Sequence, residues 1–474
     1  MLTYSRDPQA STALYDQLYR AIREDILAGR LTANSRLPSK RSLAQHLKIS
    51  VVTVETAYGQ LIAEGYVYAR EKSGYFVSPV DRPGIRPALP APSLPEETKE
   101  NWILDLRANR MDPSCFPFSV WSKITRNVLS RQDVSLLEPV PYNGIYELRR
   151  ALSDYLHRFR GIDVDPGQIV IGAGTEYLYS LLIQLLGRDK RYGVENPGYP
   201  KIRRIYNANG VDNVGISLDE EGISIPALRS SGAQILHLSP SHHFPTGIVT
   251  PIGRRQELLH WAQERPDRYI IEDDYDSEFR FTGKPIPTMQ SIDHGHRVVY
   301  INSFSKTIAP SIRISYLILP PLLAERFHRE FSFYSCTVSS FEQYTLADFI
   351  SGGYFERHIS RMKKLYRERR NAIIQAILES PLAPYVTILE KDAGLHFLLQ
   401  LSLDVPEETV RAACKQRGFR LGFLSDYTDG SMTAAPNTLV INYSGIDPEQ
   451  FRRVLEHLTE TRNLKMEDGK LLLK

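Results

Sequence analysis

The segment YINSFSKTIAPSIRISYLIL carries Ser303, Ser305 and Lys306 directly after an apolar run, with Arg313 seven residues beyond the lysine. An amine held beside an aldehyde forms a Schiff base, and hydroxyls with a guanidinium neutralise a phosphate, so this set meets the demands of pyridoxal phosphate. Alone, the segment also describes a serine-rich loop with a solvated lysine. RYIIEDDYDSEF adds Asp273 at the end of a second apolar run, where a carboxylate can pair with a pyridinium nitrogen, and Tyr275, whose hydroxyl can reach the ring oxygen. Glu272, Asp273 and Asp274 by themselves also suit a solvated acidic turn or a metal site. IVIGAGTEYLYSLLIQLL reads as strand, glycine turn and helix, which places Gly174 and Thr175 where backbone N–H groups and the helix dipole hold a phosphate. In ENPGYP, Tyr199 is either an aromatic that stacks on a pyridine face or a turn residue that packs locally.

These residues need a scaffold, and the pattern around them supplies one. The apolar runs QIVIGAG, QILHLSP, RYIIEDD and RVVYINSF alternate with amphipathic stretches such as SLLIQLLG and RRQELLHWAQ, which predicts a layered α/β domain. Ahead of it, residues 80 to 102 hold prolines at 83, 87, 90, 92 and 95 and little that forms a core. Such a stretch favours polyproline II at ~3.1 Å per residue and reads as a linker. Further upstream, Leu14, Leu18, Ile22 and Ile26 recur at helical spacing before Gly29, predicting a helix over 12–28. In LPSKRSLAQHLKIS, Ser39 caps a second short helix, Lys48 and Ile49 form a turn, and Ser50 caps a third helix. That third helix sends Val54, Ala57, Tyr58, Leu61 and Ile62 inward and stops at Gly65. YVYAR and YFV then form a small hairpin with Lys72 and Gly74 at its tip, giving a helix-turn-helix with a wing.

At 474 residues the chain is too long for one small domain. Its 42% hydrophobic and 24% charged composition is that of a globular protein, and no run approaches the ~18 apolar residues of a membrane span. The N-terminus lacks an export signal and Cys115, Cys336 and Cys414 lie far apart, so a reducing cytoplasm is expected. Residues 1–80 hold 10 Lys+Arg against 7 Asp+Glu, which is the whole formal charge of +3. A basic head on a neutral body is the balance of a segment that meets a polyanion.

LYDQLYRAIREDILAGRL, LPSKRSLAQHL, SVVTVETAYGQLIAEGYVY and GYFV resemble the GntR-type winged helix over about residues 12–78. YNGIYELRRAL, GAGTE, ENPGYP, SPSHHFPTG, IIEDDYD and SFSK with its arginine resemble the fold type I aminotransferases over about residues 103–460. Joined by a proline-rich linker, the two resemble the MocR family of transcriptional regulators. The resemblance implies a multidomain chain: a winged helix-turn-helix (α+β) over 1–79, the linker over 80–102, and a large α/β domain of the pyridoxal phosphate-dependent transferase fold type I over 103–474. Carried over by position, Lys306 holds pyridoxal 5'-phosphate, Asp273 pairs with its pyridinium, Tyr275 meets the ring oxygen and Tyr199 stacks on the ring. Ser303, Ser305, Arg313, Gly174 and Thr175 fall to the phosphate. In the head, Ser39, Lys40 and Arg41 fall at the DNA backbone and groove entrance, Ser50 and Thr53 at the start of the recognition helix, and Lys72 to Gly74 in the wing. The implied partners are a double-stranded DNA operator, a small-molecule effector and a second copy of the chain, head-to-tail being one arrangement of the homodimer. No metal is expected.

Departures from the family pattern bear on function. Val51 stands where the recognition helix usually has an arginine, which removes a guanine-reading contact and favours an operator richer in A·T. Phe244-Pro245-Thr246-Gly247 stands where aminotransferases have N-P-T-G, leaving His242 or His243 to replace the missing asparagine. In TLVINYSGI, Gly445 occupies the position of the carboxylate-binding arginine. Lys201 occupies that of a second arginine in the γ-aminobutyrate-responsive type, and it is the expected effector contact, although lysine lacks the bidentate fork. The expectation is therefore a regulator rather than an enzyme, with pyridoxal phosphate itself as the signal in control of vitamin B6 synthesis. The alternatives are a sensor of an amino acid through an external aldimine, with Arg203 or Arg204 assisting, a functional aminotransferase using Lys306 and Asp273, and a cofactor-free dimerisation scaffold.

Overall fold

The computed structural model describes residue 4 and residues 12–80, 102–107, 112–281, 286–390, 392, 394–403, 405–430, 435–462, 464–467 and 470–473. The chain divides into two compact units, Met1–Thr98 and Lys99–Lys474. Residues 81–101 of the expected linker fall outside the described residues.

The head is built from helices α1 (Leu14–Leu27), α2 (Lys40–Leu47) and α3 (Val51–Ala63) and an antiparallel hairpin of β1 (Val67–Arg70) and β2 (Gly74–Val77). The Ser39 and Ser50 side chains accept the backbone N–H groups of Ser42 and Thr53, satisfying donors that open helix ends leave bare. Lys48, at φ 54°, turns the chain sharply between α2 and α3. Leu18, Ile22, Leu43, Val54, Ala57 and Leu61 pack into one core. Ile62 does not join them as expected. It is 37% exposed, because the 100° step from Leu61 carries it off the buried stripe.

In the large unit, β3 (Leu104–Asp105) and helices α4 (Phe118–Ser130) and α5 (Tyr146–Arg160) precede an eight-stranded sheet. Its strands are β4 (Ile169–Ala173), β5 (Tyr192–Asn196), β6 (Asn213–Asp219), β7 (Gly222–Ile223), β8 (Ile235–Leu238), β9 (Tyr269–Asp273), β10 (Val298–Ser303) and β11 (Ile314–Ile318). They lie in the order β4-β11-β10-β9-β8-β5-β6-β7. Helices α6 (Thr175–Leu186), α7 (Pro200–Ala208), α8 (Ile225–Ser230) and α9 (Ile252–Gln263) connect them. The middle strands are buried on both faces, which is why they read as continuous apolar runs.

Helices α10 (Pro321–Phe331), α11 (Ser340–Ser351) and α12 (Tyr354–Glu379) lead to a second, three-stranded sheet. It consists of β12 (Val386–Leu389), β13 (His396–Leu401) and, after α13 (Glu407–Gln416) and β14 (Phe419–Arg420), β15 (Thr438–Asn442), and is followed by α14 (Pro448–Arg462). Among the described residues, no helix is long and apolar enough to cross a membrane.

Candidate functional site

Sheet register brings the dispersed residues together. Ile301 of β10 lies beside Asp273 of β9, Ser303 beside Ser315, and Ile314 of β11 beside Ala173 of β4. The loop after β4, the end of β9 and the connection from β10 to β11 therefore meet at one edge, and with them Gly174, Asp273, Ser303, Ser305, Lys306 and Arg313.

The β10–β11 connection is pinned by Phe304 and Ile308, both in the core. Between them, the Ser303 and Ser305 hydroxyls lie 2.8 Å apart, and the Ser305 N–H donates to Ser303 Oγ at 3.2 Å. His358 of α12 donates from Nε2 to the Thr307 carbonyl at 2.7 Å, and burial pushes its imidazole down to about 4, so it stays neutral while holding the residue after Lys306. Burial also pushes the Lys306 amine down to about 8, against the pull of the Asp276 carboxylate. An amine in that range is partly neutral near physiological pH and thus nucleophilic, unlike the solvated lysine of a serine-rich loop.

At the phosphate end, Gly174 opens α6 with φ 87°, and a Cβ there would come within 2.4 Å of the Arg313 guanidinium. The positive φ favours glycine, and a Cβ there would displace the Arg313 guanidinium from its position over the turn. Arg313 donates from Nη2 to Glu176 Oε2 at 2.7 Å, and Lys201 pairs with the other carboxylate oxygen. Burial alone would raise the Glu176 carboxyl, but Lys201 and Arg313 outweigh it and hold the group down at about 2. Thr175 stands at the first turn of the same helix.

At the ring end, strand alternation separates the three acids. Asp274 turns away to Arg160 at 2.5 Å and the Tyr300 hydroxyl at 2.7 Å, while Glu272 accepts the N–H groups of Met289 and Gln290. Asp273 instead faces α6, accepting the Tyr179 hydroxyl at 2.6 Å, with His237 Nε2 at 3.7 Å. Burial and the Asp273 charge push the Tyr179 phenol well above its usual range, which keeps it a donor. His237 is held in turn by the Tyr206 hydroxyl at 2.7 Å. The Tyr275 hydroxyl donates to the His242 carbonyl at 2.9 Å. Tyr199, 51% exposed, meets Phe244 edge-on with ring centroids 5.8 Å apart.

His242 and His243 take different roles. His242 is buried, bonded through Nδ1 to Asp276 at 2.9 Å, with its ring 4.3 Å from that of His396. The ligand atoms of His242, Asp276 and His396 lie within 4.8 Å of one another, a geometry compatible with a metal. His242 Nδ1 is nonetheless engaged by Asp276, and His396 donates from Nε2 to the Pro245 carbonyl at 3.1 Å. His243 bonds Thr246 Oγ1 at 2.6 Å, and burial pushes it down to about 3. Arg203 is committed to Asp429 at 2.7 Å, Arg204 is exposed, and Gly445 lies in the turn after β15.

In the head, Arg41 and Lys72 are exposed, and Lys72 sits at φ 58° in the hairpin loop; Gly74 is the first residue of β2 rather than part of the tip. Lys40 is paired with Glu55, and Thr53 Oγ1 lies 2.7 Å from Ser50 Oγ. Sequence reasoning missed Glu176, Tyr179, His237 and Asp276. Tyr179 was available in principle, since it lies one helical turn after Thr175 and so shares its face. His237 carries no local signal, because only strand pairing brings it to Asp273.

Residues 14–77 match the family model described as bacterial regulatory proteins, gntR family, and residues 103–458 match that for aminotransferase class I and II. The chain is 33% identical to the probable rhizopine catabolism regulatory protein MocR of Rhizobium meliloti, over 97% of this chain and 95% of that one. It is 31% identical to the HTH-type pyridoxine biosynthesis transcriptional regulator PdxR of Corynebacterium glutamicum, over 98% and 99%. Among solved structures, the multiple substrate aminotransferase of Thermococcus profundus superposes on 77% of this chain and 92% of its own, with a TM-score of 0.67 at 24% identity. The cofactor of such a domain is pyridoxal phosphate. The residues present fit it: a buried amine of lowered pKa, a carboxylate held by a permanent donor, and a glycine cradle against an arginine at a helix N-terminus.

Proposed function

The chain belongs to the MocR family of pyridoxal phosphate-dependent, DNA-binding transcriptional regulators, and from that premise we propose that pyridoxal phosphate itself is the signal it reads. The observation that carries this reading is the residue type at the positions where the family holds an effector's carboxylate: glycine at 445, and at 201 a lysine without the bidentate fork. Lys201 is paired with Glu176 and Arg203 with Asp429. The polar groups of the site address a phosphate, an aldehyde and a ring nitrogen instead.

The bound cofactor would supply an aldehyde that captures an amine and a ring that withdraws electrons. Lys306 is the amine, and the low-dielectric setting keeps part of it neutral. Asp273, which accepts the Tyr179 hydroxyl, would keep the ring nitrogen protonated. Ser303, Ser305, Arg313 and the α6 N-terminus would hold the phosphate, the Tyr275 hydroxyl would serve the ring oxygen and Tyr199 would offer an aromatic face. In this reading the domain works as a sensor rather than as an aminotransferase, in the cytoplasm, as a homodimer. A second copy would cover Phe118, Val134, Leu137 and Phe333, large apolar side chains that are exposed in the single chain. Occupancy shifts the equilibrium between two arrangements of the regulator only if the cofactor binds them with different affinity. Arg41 and the wing Lys72 contact the DNA backbone and set the salt dependence of binding.

A visible absorption titration of the purified apoprotein with pyridoxal phosphate, with DNA affinity recorded at each point, tests this. A band from the lysine-bound cofactor that rises with a change in DNA affinity, unaltered by added amino acids, is the expected result. A band or an affinity that moves only when an amino acid is added would make that amino acid the signal.

A further inference from the structure

The outward side of α3 opens with apolar side chains. Val54, Ala57, Tyr58 and Leu61 are buried. On the opposite side, Val52, Thr56 and Gly59 follow one another a turn apart, and a Cβ built on Gly59 meets nothing within 4 Å. Val52 is 69% exposed and Val51, beside it, 41% exposed. Polar groups near them are spent within the head: Ser50 and Thr53 on each other, the Thr56 hydroxyl on the Val52 carbonyl at 2.9 Å, Glu55 on Lys40, and Gln60 on Glu64. The first two turns of a recognition helix are the part that meets base edges in the major groove.

Valine side chains there cannot read a hydrogen-bond donor or acceptor. The apolar feature that base edges display in the major groove is the C5 methyl of thymine. We propose that Val52, flanked by Val51, is a specificity-determining residue that packs on thymine methyl groups, so the operator is read in part by methyl contact. This rests on the DNA-binding role of the head and is independent of which small molecule is the signal. Gly59, with no side chain, and the short Thr56, whose hydroxyl is turned back to the Val52 carbonyl, let the helix lie close to the bases.

The test uses the full-length chain with pyridoxal phosphate. Duplexes selected from a random pool are resynthesised with uracil for thymine, one position at a time, which removes only the methyl. Wild-type protein is expected to lose about fourfold in affinity at one or two thymines per half-site, the factor that corresponds to one buried CH₂-sized group. Val52→Ala should bind the thymine and uracil forms within twofold of each other at that position, while Val51→Ala retains most of the discrimination. Circular dichroism and affinity for unselected DNA report whether each variant is folded. Equal affinity of wild-type protein for thymine and uracil duplexes overturns the proposal. So does an undiminished preference for thymine in folded Val52→Ala, or a pool in which no sequence is enriched.

Discussion

Lys306 illustrates how burial turns a side chain into a reagent. With its amine pushed down to about 8, the rate of band formation on mixing with pyridoxal phosphate should rise about tenfold per pH unit below 8 and level off above it. A stopped-flow pH series would reveal an ordinary lysine by a rise continuing toward 10.5. Glu176 is the counterpart on the phosphate side. Its carboxylate, ionised above about pH 2, competes with the phosphate for Arg313. Glu176→Gln is therefore expected to tighten cofactor binding by up to about fivefold, the scale of a partly exposed ion pair of ~1 kcal/mol. Weaker binding in an absorbance titration would mean instead that Glu176 positions the arginine. Lys306, Asp273 and Arg313, which the register brings to one sheet edge, could be singled out as candidates because each belongs to a short segment with a chemistry of its own. Glu176 could not, since a glutamate in a first helical turn is explained by the dipole alone until its partners from residues 201 and 313 are seen.

At the level of elements, the glycine turn between β4 and α6 decides whether the arginine and the helix end can act together. Gly174→Ala would introduce a Cβ within 2.4 Å of the Arg313 guanidinium at φ 87°, a backbone position costing on the order of 1–3 kcal/mol for other residues. The expected outcome is at least tenfold weaker cofactor affinity with circular dichroism unchanged, and an unaltered affinity would remove this turn from the phosphate site. The strands that carry the site were legible as uninterrupted apolar runs, and the head's helices through the caps at Ser39 and Ser50. What composition could not reveal was pairing order. The antiparallel strand β11 lies between β4 and β10, and that insertion alone brings Arg313 back to Gly174. Ile62 was misjudged for a related reason, as one residue of helical rotation separates a buried position from an exposed one.

For the molecule as a whole, the head has its own core, separate from that of the large unit. Lys306→Ala should accordingly abolish the visible band and the cofactor's effect on DNA affinity while DNA binding itself stays measurable in a gel-shift assay; a folded variant that no longer binds DNA would show that the two roles are inseparable. The pinning of the Lys306 connection by Phe304 and Ile308 has a consequence for the life of the protein. With those two anchors in the core, the pocket around Lys306 exists only in the folded chain, so a ligand bound there stabilises the fold. At a hundredfold excess over its dissociation constant such a ligand adds about 2.7 kcal/mol to folding stability. Proteolytic turnover follows the unfolded fraction, so the chain's abundance is expected to fall where its ligand is scarce.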